Sequence, residues 1–302
     1  MNQPSNHQNP DNNWQSPADA ANARHRTDAP HRLLKPVTEV NAVPGQRKTA
    51  LITGASAGLG RHFAELFAAD GHDLVLVARR EDELHQLASR LYNSYGTQST
   101  VIAADLTDPA AGDRLYDTVA GAGTSVEYLV NNAGFGITGA FMSLGLDREL
   151  DMIELNIKAL TRLTGLFLPA MVGRGSGRIL NVSSGAGFLP GPFMATYYAS
   201  KAYVLHFSEA LAYELRDSNV TVTALCPGPT ATEFATAAGA QQSALFKGGG
   251  ADAAVVAERG YLAMMVGKTI AVADVKTKVN IQALRLLPRA LTRHLAAQLN
   301  RH

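Results

Sequence analysis

The residues best suited to chemistry are Tyr197 and Lys201, in the run Tyr197-Tyr198-Ala199-Ser200-Lys201, with Ser184 thirteen residues upstream. Side chains four apart on a helix project from one face, one turn above each other. A phenol ordinarily loses its proton near pH ~10, and an adjacent ammonium favours the phenolate and lowers that value. Tyr197 beside Lys201 is therefore a candidate proton donor and acceptor at neutral pH. Ser184 is a candidate holder of the oxygen that gains or loses the proton. The pattern alone is not specific, because many helices carry a packed tyrosine and a solvated lysine at this spacing. Whatever positions the three side chains decides between the two readings.

From Lys48 onward, short aliphatic runs alternate with helical patterns, the signature of a parallel sheet flanked by helices. Strands are predicted at residues 49–53, 73–78, 99–104, 126–130, 178–182, 220–225 and 269–273. Helices are predicted up to 69, at 81–95, 109–120, 147–172 and 196–217, and again after 251. The strands are nearly continuous aliphatic runs, as burial on both faces of a doubly wound sheet requires. Right-handed crossovers then gather the loops after the strands at one edge, where ligands bind. No internal repeat is present.

The turn Thr53-Gly54-Ala55-Ser56-Ala57-Gly58-Leu59-Gly60 joins the first strand to the first helix. Its glycines let the backbone turn tightly and approach a pyrophosphate, whose charge a helix N-terminus meets. The spacing is G-x-x-x-G-x-G rather than the common G-x-G-x-x-G, yet its place between strand and helix points to a nucleotide. At the end of the second strand an acidic residue would bind a ribose 2′-hydroxyl, whereas arginine accommodates a 2′-phosphate. This strand ends in Val77-Ala78-Arg79-Arg80, with no acid before Glu81. NADP(H) is favoured over NAD(H), with Arg79 the first choice and Arg80 open to a solvated role. Asp105 ends the third strand and is placed either to meet the adenine or to cap a helix, while Asp108 before Pro109 reads as the cap.

The 302 residues are 46% hydrophobic and 18% charged, suited to a well-buried α/β domain. A formal net charge of +1 carries no basic footprint, so nucleic acid is excluded as a partner. Cys226 is the single cysteine and reads as a small core residue in a reducing compartment. With no long apolar span and no apolar leader, a cytoplasmic location is expected. Residues 1–46 are polar and nearly free of aromatics, and are expected to be a disordered extension. His7, His25 and His31 there fit no metal-ligand spacing. The catalytic domain is expected over 47–273, followed by a tail over 274–302.

In that tail Leu284, Leu287, Leu291, Leu295 and Leu299 form an apolar stripe among Lys276, Lys278, Arg285, Arg289, Arg293 and Arg301, with Pro288 starting or kinking the helix. Such a basic amphipathic helix lies on a membrane surface, docks on a second subunit, or docks on its own domain. The segment 233–265, with Phe234, Leu245, Phe246 and Gly248-Gly249-Gly250, reads as a hinged lid, although the apolar residues after Ala251 also suit ordinary core. Phe188, Leu189, Phe193 and Met194 are expected to line a lipophilic substrate pocket.

Taken together, Thr53 to Gly60, Asn131-Asn132-Ala133-Gly134, Asn156, Ser184, Tyr197, Lys201 and Pro227-Gly228 resemble the short-chain dehydrogenase/reductase family. The resemblance runs from about Lys48 to Val272, in order and at the family's separations. It implies an α/β fold with a single Rossmann-type doubly wound parallel sheet of about seven strands in the order 3-2-1-4-5-6-7. It implies Tyr197 as acid/base, Ser184 polarising the substrate carbonyl, and Lys201 binding the nicotinamide ribose and lowering the Tyr197 pKa. Asn156 would hold the water linking Lys201 to solvent. The cofactor would be met by Gly54, Ser56, Ala57, Gly58, Leu59 and Gly60, by Arg79, Asp105 and Leu106, and by Asn132, Ala133 and Gly134. Pro227, Gly228, Thr230 and Thr232 would meet the nicotinamide side, with Tyr197 and Lys201. Asn131 would bond strand backbones, Ser183 would be secondary to Ser184, and Tyr198 would serve packing.

The tail is similar to that of a bacterial branch of these reductases related to ketoacyl and hydroxysteroid reductases. The expected function is therefore NADP-dependent reduction of a lipophilic ketone, aldehyde or ketoacyl group, in a homodimer or homotetramer. The alternatives are a nucleotide-sensing module of the same fold without turnover, and a membrane-surface scaffold acting through the tail.

Overall fold

Ala50, Leu51 and Ile52 of the first strand, β1 (Thr49–Thr53), are fully buried, as in a strand covered on both faces. The same holds for the middle of β2 (Asp73–Ala78) and for all of β4 (Val126–Asn131). With β3 (Ser99–Ala103), β5 (Gly177–Val182), β6 (Val220–Cys226) and β7 (Ile270–Val272) they form one parallel sheet in the order β3-β2-β1-β4-β5-β6-β7. This is the expected fold class and strand order. The computed structural model describes residues 47–241, 243–244 and 249–301. The expected extension over 1–46 and the lid residues Leu245, Phe246 and Gly248 lie outside the described residues.

Helices cover both faces. On one, α1 (Gly58–Ala69) and α2 (Glu81–Tyr95) pack Phe63, Phe67, Leu84 and Leu87 against the sheet, with α8 (Ala253–Met265) adding Val256, Tyr261 and Met264. The apolar residues after Ala251 are thus core. On the other face, α3 (Ala111–Gly121), α5 (Leu160–Gly173) and α6 (Ala195–Glu214) supply Leu115, Val119, Leu163, Phe167 and Leu211. Among the described residues no helix is long and apolar enough to cross a membrane.

Two predicted helices are interrupted. The segment expected as one helix over 147–172 is α4 (Leu146–Ile153), a π-helical turn over Glu154–Ala159, and α5. Such wide turns recur where a side chain is aimed for function, and this one carries Asn156. The tail is likewise two helices, α9 (Val275–Arg285) and α10 (Arg289–Asn300), because Pro288 takes an extended ψ of 141° and serves as the N-cap of α10. The leucine stripe is not the docked face of α10. Thr292, Ala296 and Asn300 are buried, whereas Leu291 and Leu299 are 43% and 42% exposed.

Asn131 departs from its expected role. Its amide donates to Thr164 Oγ1 (3.1 Å) and Asn181 Oδ1 (2.9 Å), and Asn181 in turn donates to Ser208 Oγ (2.9 Å). This is a row of buried side chains linking α5, β4, β5 and α6, not a bond to strand backbones. The backbone work falls to Asn132, described next.

Candidate active site

The carboxyl ends of β1, β4, β5 and β6 open on a cavity of about 430 Å³. At its first corner Gly54 turns the chain with φ +66°, a conformation other residues rarely adopt. A Cβ on Gly60 would stand 2.2 Å from the Gly54 carbonyl oxygen. Asn132 clamps this turn, donating to the carbonyls of Thr53 (2.9 Å) and Gly54 (3.3 Å). Thr53 Oγ1 accepts the backbone amides of Asn132 and Ala133, each at 3.0 Å. Gly54, Ala57, Gly58 and Leu59 line the cavity, as do Asn132, Ala133 and Gly134. The helix N-terminus and side-chain-free backbone therefore leave a cradle that fits a pyrophosphate. Ser56 and Gly60 stand behind this wall, closing the turn.

Arg79 lines the cavity, with its guanidinium 3.8 Å from Asp105 Oδ2. Arg80 is not simply solvated: its Nε donates to Ser56 Oγ (3.3 Å) and its Nη2 to Glu233 Oε2 (3.1 Å). Asp105 does not line the cavity. Its Oδ1 accepts the amide (3.0 Å) and hydroxyl (2.8 Å) of Thr107. Burial would raise this carboxyl, but the Thr107 bonds and Arg79 hold it below its ordinary range. Asp108 accepts the Ala110 amide (3.0 Å) in the turn before α3, but the N-cap position itself is taken by Ala110, not by Asp108 as expected. Leu106 lies elsewhere, against a groove of about 570 Å³ shared by Glu154, Arg162 and Tyr203, which holds none of the candidate catalytic groups.

Ser184 follows β5, its Oγ accepting the Ala186 amide (3.1 Å) at the start of a 3-10 turn over Gly185–Phe188. Ser184 lines the cavity together with Tyr197 of α6. Burial pushes the Tyr197 phenol above its ordinary pKa, with the Ser184 hydroxyl pulling the other way. The Lys201 ammonium donates to the Val182 carbonyl (2.8 Å) and sits over the Tyr197 ring, 5.8 Å from its centre. Burial lowers Lys201 itself to about 8.

Ser183 anchors the backbone of the same helix, its hydroxyl donating to the Lys201 carbonyl (2.7 Å). Asn156 is buried behind this group and holds the Phe135 backbone at both ends, by Oδ1 (3.1 Å) and Nδ2 (2.9 Å), and also reaches Ser200 Oγ (3.0 Å). A Cβ on Gly134 would meet Asn156 Oδ1 at 2.9 Å and Lys201 Nζ at 3.4 Å. Glycine there lets the two polar groups share one space.

Pro227, Gly228, Thr230 and Thr232 line the opposite wall. Gly228 admits α9: a Cβ there would stand 2.3 Å from Thr277 Oγ1. At the end of the expected hinge Gly250 lies close against Thr230 and Ala231, and Ala231 donates to Ala251 (2.9 Å) and Ala251 to Pro229 (2.8 Å). Phe234, on the one-turn helix α7 (Phe234–Ala237), packs 5.2 Å from the Tyr197 ring. Leu189 and Met194 line the cavity as expected, but Phe188 packs instead against the cluster of Leu205, Ala224 and Cys226, and Phe193 is not among the lining residues. Cys226 is fully buried and burial pushes its thiol up to about 12, consistent with a core role.

The sequence reading misses the α9 contribution. Thr277, Asn280, Ile281 and Leu284 line the cavity at the i, i+3, i+4, i+7 spacing of one helix face, joined by Leu299 of α10. A mixed polar and apolar face leaves a weak periodic signal, so only its last member, Leu284, is visible in the leucine stripe.

A family model described as short chain dehydrogenase matches residues 48–243. The chain is 36% identical over 203 residues to a very-long-chain 3-oxoacyl-CoA reductase of Homo sapiens, covering 65% of this chain and 64% of that protein. It is 35% identical over 189 residues to an inactive hydroxysteroid dehydrogenase-like protein 1 of Homo sapiens, covering 61% of this chain and 56% of the relative. The chain thus spans under two thirds of the length of these curated relatives. Among solved structures it is similar to a short-chain dehydrogenase from Sphingobium yanoikuyae in complex with NADPH, with a TM-score of 0.72 and 34% identity, covering 79% of this chain and 92% of that one.

Proposed function

The chain belongs to the short-chain dehydrogenase family, and from that premise we propose that it is an NADP(H)-dependent reductase of a lipophilic ketone, aldehyde or ketoacyl compound. The observation that carries this reading is the convergence of Ser184, Tyr197, Lys201, Arg79 and the glycine turn on one cavity. Arg79 lines the wall at the end of β2, where a 2′-phosphate would pair with it and no acid replaces it. The apolar lining by Leu189, Met194, Phe234, Ile281 and Leu284 suits a hydrocarbon substrate, and the similarity to a very-long-chain 3-oxoacyl-CoA reductase supports a ketoacyl one.

The cofactor, when bound, supplies the hydride. The protein supplies the proton and the hold on the oxygen. Ser184 and the Tyr197 phenol, which line the same cavity, both donate to the carbonyl oxygen as negative charge develops on it. Tyr197 gives up its proton to complete the alcohol. A phenol held above its ordinary pKa is a donor at neutral pH, which suits reduction. Lys201 returns the proton to Tyr197, and Asn156, across Gly134 from Lys201, marks the route to solvent.

A non-catalytic nucleotide-binding module is the second reading, since one relative is named inactive. Retention of Ser184, Tyr197, Lys201 and Asn156 speaks against it. The deciding experiment follows NADPH oxidation over lipophilic ketones, aldehydes and ketoacyl thioesters. Turnover is expected, and Tyr197→Phe should lower kcat by roughly 10²–10⁴-fold, the usual range for a lost general acid. NADPH-bound protein that turns over none of them would favour the module, and full activity in Tyr197→Phe would remove the proton assignment.

A further inference from the structure

The loop between Ser184 and Tyr197 carries Leu189 and Met194 into the cavity, yet its own conformation is not a relaxed one. Phe193 has φ +66°, the one non-glycine residue in the left-handed region among the described residues. Gly191 lies so close to Tyr198 that a Cβ would stand 2.2 Å from its ring. Strained backbone persists only where its surroundings hold it. The holder is α10. Asn300, 1% exposed, donates through Nδ2 to the Pro192 carbonyl (2.9 Å) and accepts through Oδ1 the Tyr198 hydroxyl (3.1 Å). Arg301 lies over the Phe193 ring, 5.3 Å from its centre. On the other side Phe193 O accepts the Gly139 amide (2.8 Å). One buried amide thus joins α10, the loop and the residue next to Tyr197.

The same helix pair walls the cavity with Ile281, Leu284 and Leu299, and lies beyond residue 243, where the family match ends. We propose that Asn300 is a positioning residue that locks the 189–194 loop to α10, so that the wall accepts an extended apolar tail and the enzyme prefers a long carbonyl substrate to a short one. The amide suits this task because it offers a donor and an acceptor at once; aspartate lacks the donor and leucine lacks both. The substrate preference rests on the reductase reading above, whereas the locking of the loop does not.

The test compares the full chain with Asn300→Ala and Asn300→Asp. Steady-state kinetics would use a short methyl ketone and a long-tailed 3-ketoacyl thioester, alongside NADPH affinity and amide hydrogen exchange over 189–194. In Asn300→Ala, KM for the long substrate should rise at least tenfold, with KM for the short ketone and NADPH affinity within twofold. Exchange over 189–194 should quicken, and Asn300→Asp should behave like alanine at the loop. Tyr198→Phe, which removes one bond and keeps the ring against Gly191, should shift the same readings in the same direction by a smaller factor. It also serves should Asn300→Ala fail to fold. Equal KM changes for both substrates would overturn the specificity role, and unchanged exchange would overturn the locking. If the parent chain reduces neither carbonyl, the reductase reading fails, and faster exchange confined to 189–194 still supports the lock.

Discussion

Lys201 is buried with its ammonium on the Val182 carbonyl, and burial brings its pKa down from 10.5 to about 8. It therefore loses its charge as pH rises through about 8, inside the range where an enzyme is assayed. Because the proposed reduction returns its proton through Lys201, kcat for reduction should fall above pH 8, as a profile from pH 6 to 10 would show. Its effect on folding has the opposite sign. Between about 8 and 10.5 the unfolded chain holds the extra proton, so this residue's contribution to stability rises with pH across that window. Tyr197 and Lys201 are legible in the sequence because their spacing implies a shared helix face, and Ser184 because its separation from Tyr197 resembles the family's. The state of the phenol is not legible, because it depends on how deeply the folded chain buries it. Asn300 leaves no trace either, since its Tyr198 partner is 102 residues away and neither lies in a periodic pattern.

At the scale of elements, the aliphatic runs announce the strands and their burial, and the alternation with helices announces a parallel sheet. The π-helical turn over Glu154–Ala159 is hidden, because a wide turn changes no residue type. The buried row Thr164, Asn131, Asn181 and Ser208 is hidden for the same reason: asparagine at a strand end reads as a turn residue. This row fixes α5 and α6 against β4 and β5. Asn181→Ala removes the acceptor for Asn131 and the donor to Ser208, and a buried polar group left without its partner costs about 1–3 kcal/mol. Urea unfolding should report a loss of that size, with NADPH affinity unchanged.

For the whole molecule, cofactor binding and folding are linked, since a ligand held by the native state alone stabilises it. At a hundredfold excess over Kd the gain is about 2.7 kcal/mol, which for a domain of this size raises Tm by roughly 5–10 °C. NADPH should produce that shift and NADH at equal concentration a smaller one. Arg79→Ala combined with Arg80→Ala should abolish the difference. The loop–helix order predicts where the cavity opens, but not what closes it, because that depends on pairs formed across the cleft.

One such pair is Arg80 with Glu233, which ties the end of β2 to the segment after β6 while Thr232 rests against Gly58. Both partners are substantially exposed, at 48% and 68%, so dissolved ions weaken their attraction. Should departure of the spent cofactor from beneath this tie limit the cycle, ionic strength becomes a throttle on turnover. The wild-type rate should then climb with added salt, and Glu233→Gln should turn over at the faster rate from the outset.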